Sequence, residues 1–133
     1  MKPMKKKILM PCVMFGCLAL LAAMPGDTTL TRQGDTTIVN TTELGKGVRG
    51  YRGTTPLKIH IKGDKIVKVE ALPNKETPQY FQKIKTQMLK KWNGVSVKKL
   101  SAKKVDIVTG ATISSNAVKK NVELGVKYYN EHR

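Results

Sequence analysis

The segment Asp106-Ile107-Val108-Thr109-Gly110-Ala111-Thr112-Ile113-Ser114-Ser115 places four hydroxyls and one carboxylate around a single glycine, just ahead of a helix-periodic run. A chain that passes from extended backbone into a helix leaves its first amides unpaired. The positive end of the helix dipole lies there too, and together they favour a phosphate. Thr112 is the hydroxyl just before that start, which the periodicity puts around Ser114. Gly110 lets the backbone come close to a bulky group, and Ala111 leaves space beside it. The same residue types also suit an ordinary capped helix, with Thr112 or Ser114 as the N-cap and Asp106 as a turn former where a strand ends near Val108. Spacing alone leaves both readings open. No Ser-His-Asp pattern, paired carboxylate cluster or glycine-rich nucleotide loop stands beside this segment. His60 alternates outward on a strand, as a surface residue does.

Several elements must position these groups. Leu57, Ile59 and Ile61 alternate with Lys58, His60 and Lys62, the period of a half-buried strand. Gly63-Asp64 is a two-residue hairpin turn, and Lys65 to Leu72 returns as the partner strand through Ile66, Val67 and Val69. Thr77 and Pro78 are a natural N-cap and first residue for a helix whose buried face is Phe81, Ile84, Met88 and Trp92, ended by Asn93-Gly94. Val95 to Leu100 reads as a loop or short strand. The last helix shows Ala117, Val118, Val122, Gly125, Val126 and Tyr129 on one broad arc and Lys119, Lys120, Glu123 and Lys127 on the other. The fold expected is α+β: a small antiparallel sheet with two helices packed on it.

The chain has 133 residues, enough for one domain. Residues 1–24 join a basic start (Lys2, Lys5, Lys6, Lys7) to an apolar stretch from Ile8 to Met24, the order of a signal peptide or membrane anchor that exports the remainder of the chain. Residues 25–44, rich in Thr, Asp and Gly, read mostly as a polar linker with one β-like run from Thr36 to Thr41, and 45–133 as the domain. Cys12 and Cys17 both fall in the leader. Disulfides, zinc-cysteine sites and cysteine nucleophiles are therefore excluded from the exported part. Twenty-five Lys+Arg against nine Asp+Glu give a net charge of +16, which invites an anionic partner. The positives are scattered lysines, so a solvated basic surface, an anionic lipid surface and nucleic acid are all to be weighed.

With these residues in view, Asp106 to Ser115 resembles the flavinylation motif of the FMN-binding domain family, whose members include the C subunit of the sodium-translocating NADH:quinone reductase and the G subunit of the Rnf electron-transport complex. The likeness keeps its order over about 85 residues. Gly50-Tyr51-Arg52-Gly53 is similar to the family's glycine-tyrosine element. The Leu57 to Ala71 hairpin matches its central hairpin, and Glu76-Thr77-Pro78 its Glu-Thr-Pro. The resemblance implies that Thr112 carries FMN through a phosphoester, added from FAD by a magnesium-dependent flavin transferase outside the cytoplasm with release of AMP. It makes Asp106 a recognition or positioning residue near the transferase's metal. Thr109, Gly110 and Ala111 would shape the loop, with Ser114 and Ser115 following it. Thr109 stands where the family usually has Ser, and Ser114 where it often has Thr; both keep the hydroxyl. Tyr51 would lie near the isoalloxazine ring or sit half-buried on a strand, and Thr77 would bond the flavin or simply cap its helix.

The function this implies is an electron carrier in a membrane-associated or extracytoplasmic redox chain, served by a membrane donor and an extracytoplasmic acceptor, rather than a stand-alone enzyme. Surrounding lysines are expected to favour the anionic reduced flavin. The rivals are a non-covalent FMN-binding oxidoreductase and a basic module for nucleic acid or anionic lipid, and the export leader argues against nucleic acid.

Overall fold

In the computed structural model, residues 29–133 are described. The leader, with Cys12 and Cys17, lies outside them. Strands β1 (Leu30–Gln33), β2 (Thr36–Asn40), β3 (Leu57–Lys62) and β4 (Lys65–Ala71) form one antiparallel sheet in chain order. Most of 25–44 was expected to be tether. Instead, residues 30–40 fold as the β1–β2 hairpin, with Leu30 opposite Val39 and Thr36 opposite Lys62 of β3. The reason is physical: threonine has high strand propensity, and Gly34, at φ 64°, makes the turn. Thr37, Ile38 and Val39 are buried.

Gly63 and Asp64, at φ 59° and 61°, form the two-residue turn between β3 and β4, both in the left-handed region that such hairpins demand. A bulge between His60 and Ile61 pairs His60 with Lys68 and Ile61 with Ile66, leaving Val67 as the extra residue. Strict alternation fails here: Ile66 and Val69 enter the core, whereas Val67 is 48% exposed.

One face of the sheet carries Val39, Leu57, Ile59, Ile61, Ile66 and Val69 into the core. Two helical segments cover that face. The first is α1 (Pro78–Lys83), which runs on through a π turn (Ile84–Met88) and a 3₁₀ turn (Leu89–Trp92). The changed winding buries Leu89 beside Met88, adding it to the expected face of Phe81, Ile84, Met88 and Trp92. The second is α2 (Thr112–His132), which begins two residues before the expected Ser114 and buries Val118, Val122, Val126 and Tyr129. It crosses the sheet closely at Gly125, where a Cβ would collide with Ile59 Cδ1. Between the helical segments the chain makes a bridge from Ser96 to Lys65 and a short 3₁₀ turn (Leu100–Ala102). It then runs on from Lys103 to Val108 without pairing, where a strand end was expected.

A polar pin crosses this core. Asn121 is fully buried, and its Nδ2 donates to Thr55 O (3.1 Å), Thr55 Oγ1 (3.1 Å) and Ala117 O (3.0 Å). Thr41 Oγ1 accepts from Leu57 N–H at 2.9 Å. These bonds fix the β2–β3 connection, which carries the glycine-tyrosine element, against α2.

Candidate functional site

Glu76 organises the region. It is 5% exposed and sits just before α1, with its own N–H held by Asn74 Oδ1 at 3.0 Å. Its Oε1 accepts the Tyr51 N–H at 2.8 Å and the Ser114 hydroxyl; its Oε2 accepts the N–H groups of Arg52 (2.7 Å) and Gly53 (3.0 Å). One carboxylate thereby ties the loop around Tyr51 to the first turn of α2. Burial opposes its ionisation, and the bonds from Ser114, Arg52, Tyr51 and Gly53 outweigh that, holding the carboxyl below the ordinary glutamate range. Gly50 is required by the same contact, because a Cβ there would stand 2.5 Å from Glu76 Oε1.

The approach to α2 is equally constrained. Ala111 N–H bonds to Val108 O at 2.9 Å, closing a turn that needs Gly110 at φ 87°. Ser115, fully buried, accepts the Val108 N–H on its Oγ at 3.1 Å. Neither Thr112 nor Ser114 caps the helix: the N-cap position is Ala111, with no side-chain cap. Thr112 is the first helical residue and is exposed, and among the described residues its hydroxyl has no hydrogen-bond partner. The amides of Thr112, Ile113 and Ser114 likewise find no acceptor among the described residues. An uncapped helix start with three free amides is a place where an anion is stabilised.

Beside Thr112 lies a cleft of about 390 Å³ lined by Tyr51, Thr77, Tyr80, Gly110, Ala111, Thr112, Ile113 and Ser114. That volume is within the roughly 300–1,000 Å³ of small-molecule sites. Tyr51 (72%), Tyr80 (45%) and Ile113 (54%) are among the most exposed large hydrophobic residues, and all three border this cleft. A flat aromatic ligand is what such walls accommodate. Thr77 holds the N-cap position of α1, yet its side chain makes no capping bond, and the residue lines the cleft.

The structure thus brings Tyr51, Thr77, Gly110, Ala111, Thr112 and Ser114 together, with Glu76 as the hidden tie behind them. Ser115 turns inward. Thr109 and Asp106 are exposed outside the cleft, along two neighbouring grooves. No lysine lines the cleft, so the lysines expected around the cofactor lie elsewhere. Tyr80 and Ile113 were missed in the sequence; the signal for each was an apolar residue on an otherwise polar helical face. His60 faces outward and meets Glu70 at 3.1 Å. Among the described residues no group of three His, Cys, Asp or Glu is placed to hold a metal, and no helix is long and apolar enough to cross a membrane.

Comparison with known proteins bears on the same stretch. The family model described as FMN-binding domain matches residues 50–127, more than half of the chain. The G subunit of an ion-translocating oxidoreductase complex from Shewanella piezotolerans (strain WP3 / JCM 13877) is 34% identical over a 97-residue alignment, covering 63% of this chain. The chain spans 46% of that relative's length. No solved structure gives a significant match.

Proposed function

The chain belongs to the FMN-binding domain family, and on that premise we propose that it carries one FMN esterified to Thr112 Oγ1 and serves as an electron carrier. One arrangement supports this reading above all: an exposed hydroxyl without a partner, at an uncapped helix start, opening on an aromatic-walled cleft. Attachment forms a bond from Thr112 Oγ1 to the flavin phosphate and breaks the pyrophosphate bond of FAD; AMP leaves and the hydroxyl proton is lost. A flavin transferase performs it. When bound, the flavin supplies one- and two-electron chemistry.

The chain's own residues do the rest. The free amides of Thr112, Ile113 and Ser114 would hold the phosphate oxygens. Tyr51, Tyr80 and Ile113 would hold the ring system against the cleft wall and help exclude water from it. Thr77 Oγ1 offers a hydrogen bond at the cleft wall, and Glu76 keeps the two walls at a fixed spacing. Asp106, outside the cleft, is left free for recognition by the transferase.

The relative is named as a subunit of an ion-translocating oxidoreductase complex. That likeness supports a membrane-associated redox role; we further propose that the chain works on the extracytoplasmic side between a membrane donor and an extracytoplasmic acceptor, with residues 1–24 as signal or anchor. Intact mass of the full chain, co-produced with a flavin transferase, tests the linkage. The native chain should gain the mass of FMN less one water, and Thr112→Ala should gain nothing. Flavin that is present but lost on denaturation would favour the non-covalent rival.

A further inference from the structure

The surplus of positive charge has no role in the cleft, and its placement points to another. A groove of about 930 Å³ runs between residues 97–107 and α2. Trp92, Val97, Val105, Val122 and Val126, each no more than 4% exposed, lie beneath its floor, and Ile107 at its edge is the large apolar side chain it presents. Its rim is Lys98, Lys103, Lys104, Lys119 and Lys127, opposed by Asp106 and Glu123. Among the described residues none of these five lysines is ion-paired; Glu123 is engaged by Lys120 at 4.0 Å instead. Asp106 and Ile107 form a ridge shared with a second groove of about 540 Å³, rimmed by Lys83, Lys90 and Lys91 and reaching Thr109. Ile107 is 40% exposed on that ridge. The positive surface therefore extends to within three residues of Thr112.

We propose that this lysine-rimmed groove is the docking surface for a protein partner presenting an acidic, partly apolar segment. Unpaired rim cations steer an acidic partner to the groove, and the exposed Ile107 among them offers it an apolar contact. A planar bilayer reaches the rim but not the recessed floor. Nucleic acid is disfavoured because the groove has no arginine and its only aromatic residue, Trp92, is 3% exposed, leaving nothing for bases to stack on. The groove also far exceeds a single phosphate. The proposal rests on the flavin-carrier reading only for what the partner does, namely exchange electrons at the adjoining cleft; docking itself needs no flavin.

The test uses the full chain in phosphatidylcholine nanodiscs and a fluorescein-labelled peptide of glutamates and leucines, followed by anisotropy at low salt. Lys103→Glu/Lys104→Glu/Lys119→Glu is compared with Lys58→Glu/Lys62→Glu/Lys68→Glu, an equal charge change on the outer face of the sheet. The groove variant should weaken binding at least about tenfold and the sheet variant less than about threefold. Thr112→Ala should bind like the native chain, so a failed linkage and a failed docking surface are told apart. Equal weakening by both variants would reduce the effect to net charge and overturn the proposal, as would no weakening by either. A third arm measures hydrogen exchange in nanodiscs containing phosphatidylglycerol. Protection of residues 97–107 there without peptide would assign the surface to lipid and also overturn it.

Discussion

Glu76→Gln removes a charge without changing volume, and the geometry sets how much that matters. The carboxylate serves four donors, two on each oxygen. In its better orientation a glutamine places its carbonyl where Oε2 was and keeps the Arg52 and Gly53 amides. Its NH₂ then occupies the Oε1 position, where the Ser114 hydroxyl can rotate to accept from it. The Tyr51 N–H is left facing a donor. One orphaned amide plus the lost charge on two retained bonds gives about 2–3 kcal/mol. Glu76→Ala strips the acceptor from all four donors and should cost about 3–5 kcal/mol.

Urea unfolding of the full chain in mild detergent, followed through Trp92, the single tryptophan, reads both values. The pH dependence supplies a second check. Glu76 has its carboxyl held below the ordinary range when folded. Its contribution is therefore complete above the unfolded value of about 4.3 and lost as pH falls through the lower folded value. Native stability should fall across that window more steeply than that of Glu76→Gln, which carries no proton to gain. The tie also fixes Tyr51 against α2, so flavin loading in co-production should be slowed in both variants. If glutamine were within about 0.5 kcal/mol of native and its pH profile parallel, Glu76 would not be the tie described.

The remaining predictions concern the frame. Gly110→Ala places a Cβ on a residue at φ 87° and should cost about 1–2 kcal/mol in urea unfolding while lowering flavin loading. Asp64 accepts from Tyr129 Oη at 2.7 Å and Arg133 Nη1 at 2.7 Å, which hold its carboxyl below the ordinary range. Asp64→Asn should accordingly lower Tm at neutral pH and converge with native as the pH falls through the folded Asp64 value. Val67→Thr, at the bulge, should leave stability within about 0.5 kcal/mol in the same unfolding assay, although alternation alone marks Val67 as core.

What was legible in the sequence was what is local. The β3–β4 hairpin follows from alternation and a turn dipeptide, the start of α1 from Thr77-Pro78, and the arc of α2 from its period. Of the β1–β2 hairpin, Thr36 to Thr41 was legible as a β-like run, whereas Leu30–Gln33 carries too little apolar pattern to outweigh a linker-like composition and is fixed as a strand by pairing with β2. Asn121 was hidden for a related reason. A polar residue on a helix reads as solvent-facing until a threonine 66 positions away supplies its acceptors.

The site divides in the same way. Gly50-Tyr51, Glu76-Thr77-Pro78 and the Thr112 segment are each visible as strings, but nothing in a string says that one carboxylate joins all three. That follows only from saturating donors: Glu76 has two oxygens, and the fold brings four hydrogen-bond donors to them from 23 to 38 residues away. Once those oxygens are filled, Ser114 is committed inward and cannot cap α2, and Ser115 is committed to Val108. Thr112 is then the hydroxyl of the segment's helical turn that remains both outward and unbonded. On the proposed linkage, the selection of Thr112 is a consequence of where its neighbours' hydrogen bonds go, and a change that freed Ser114 would be expected to blur it.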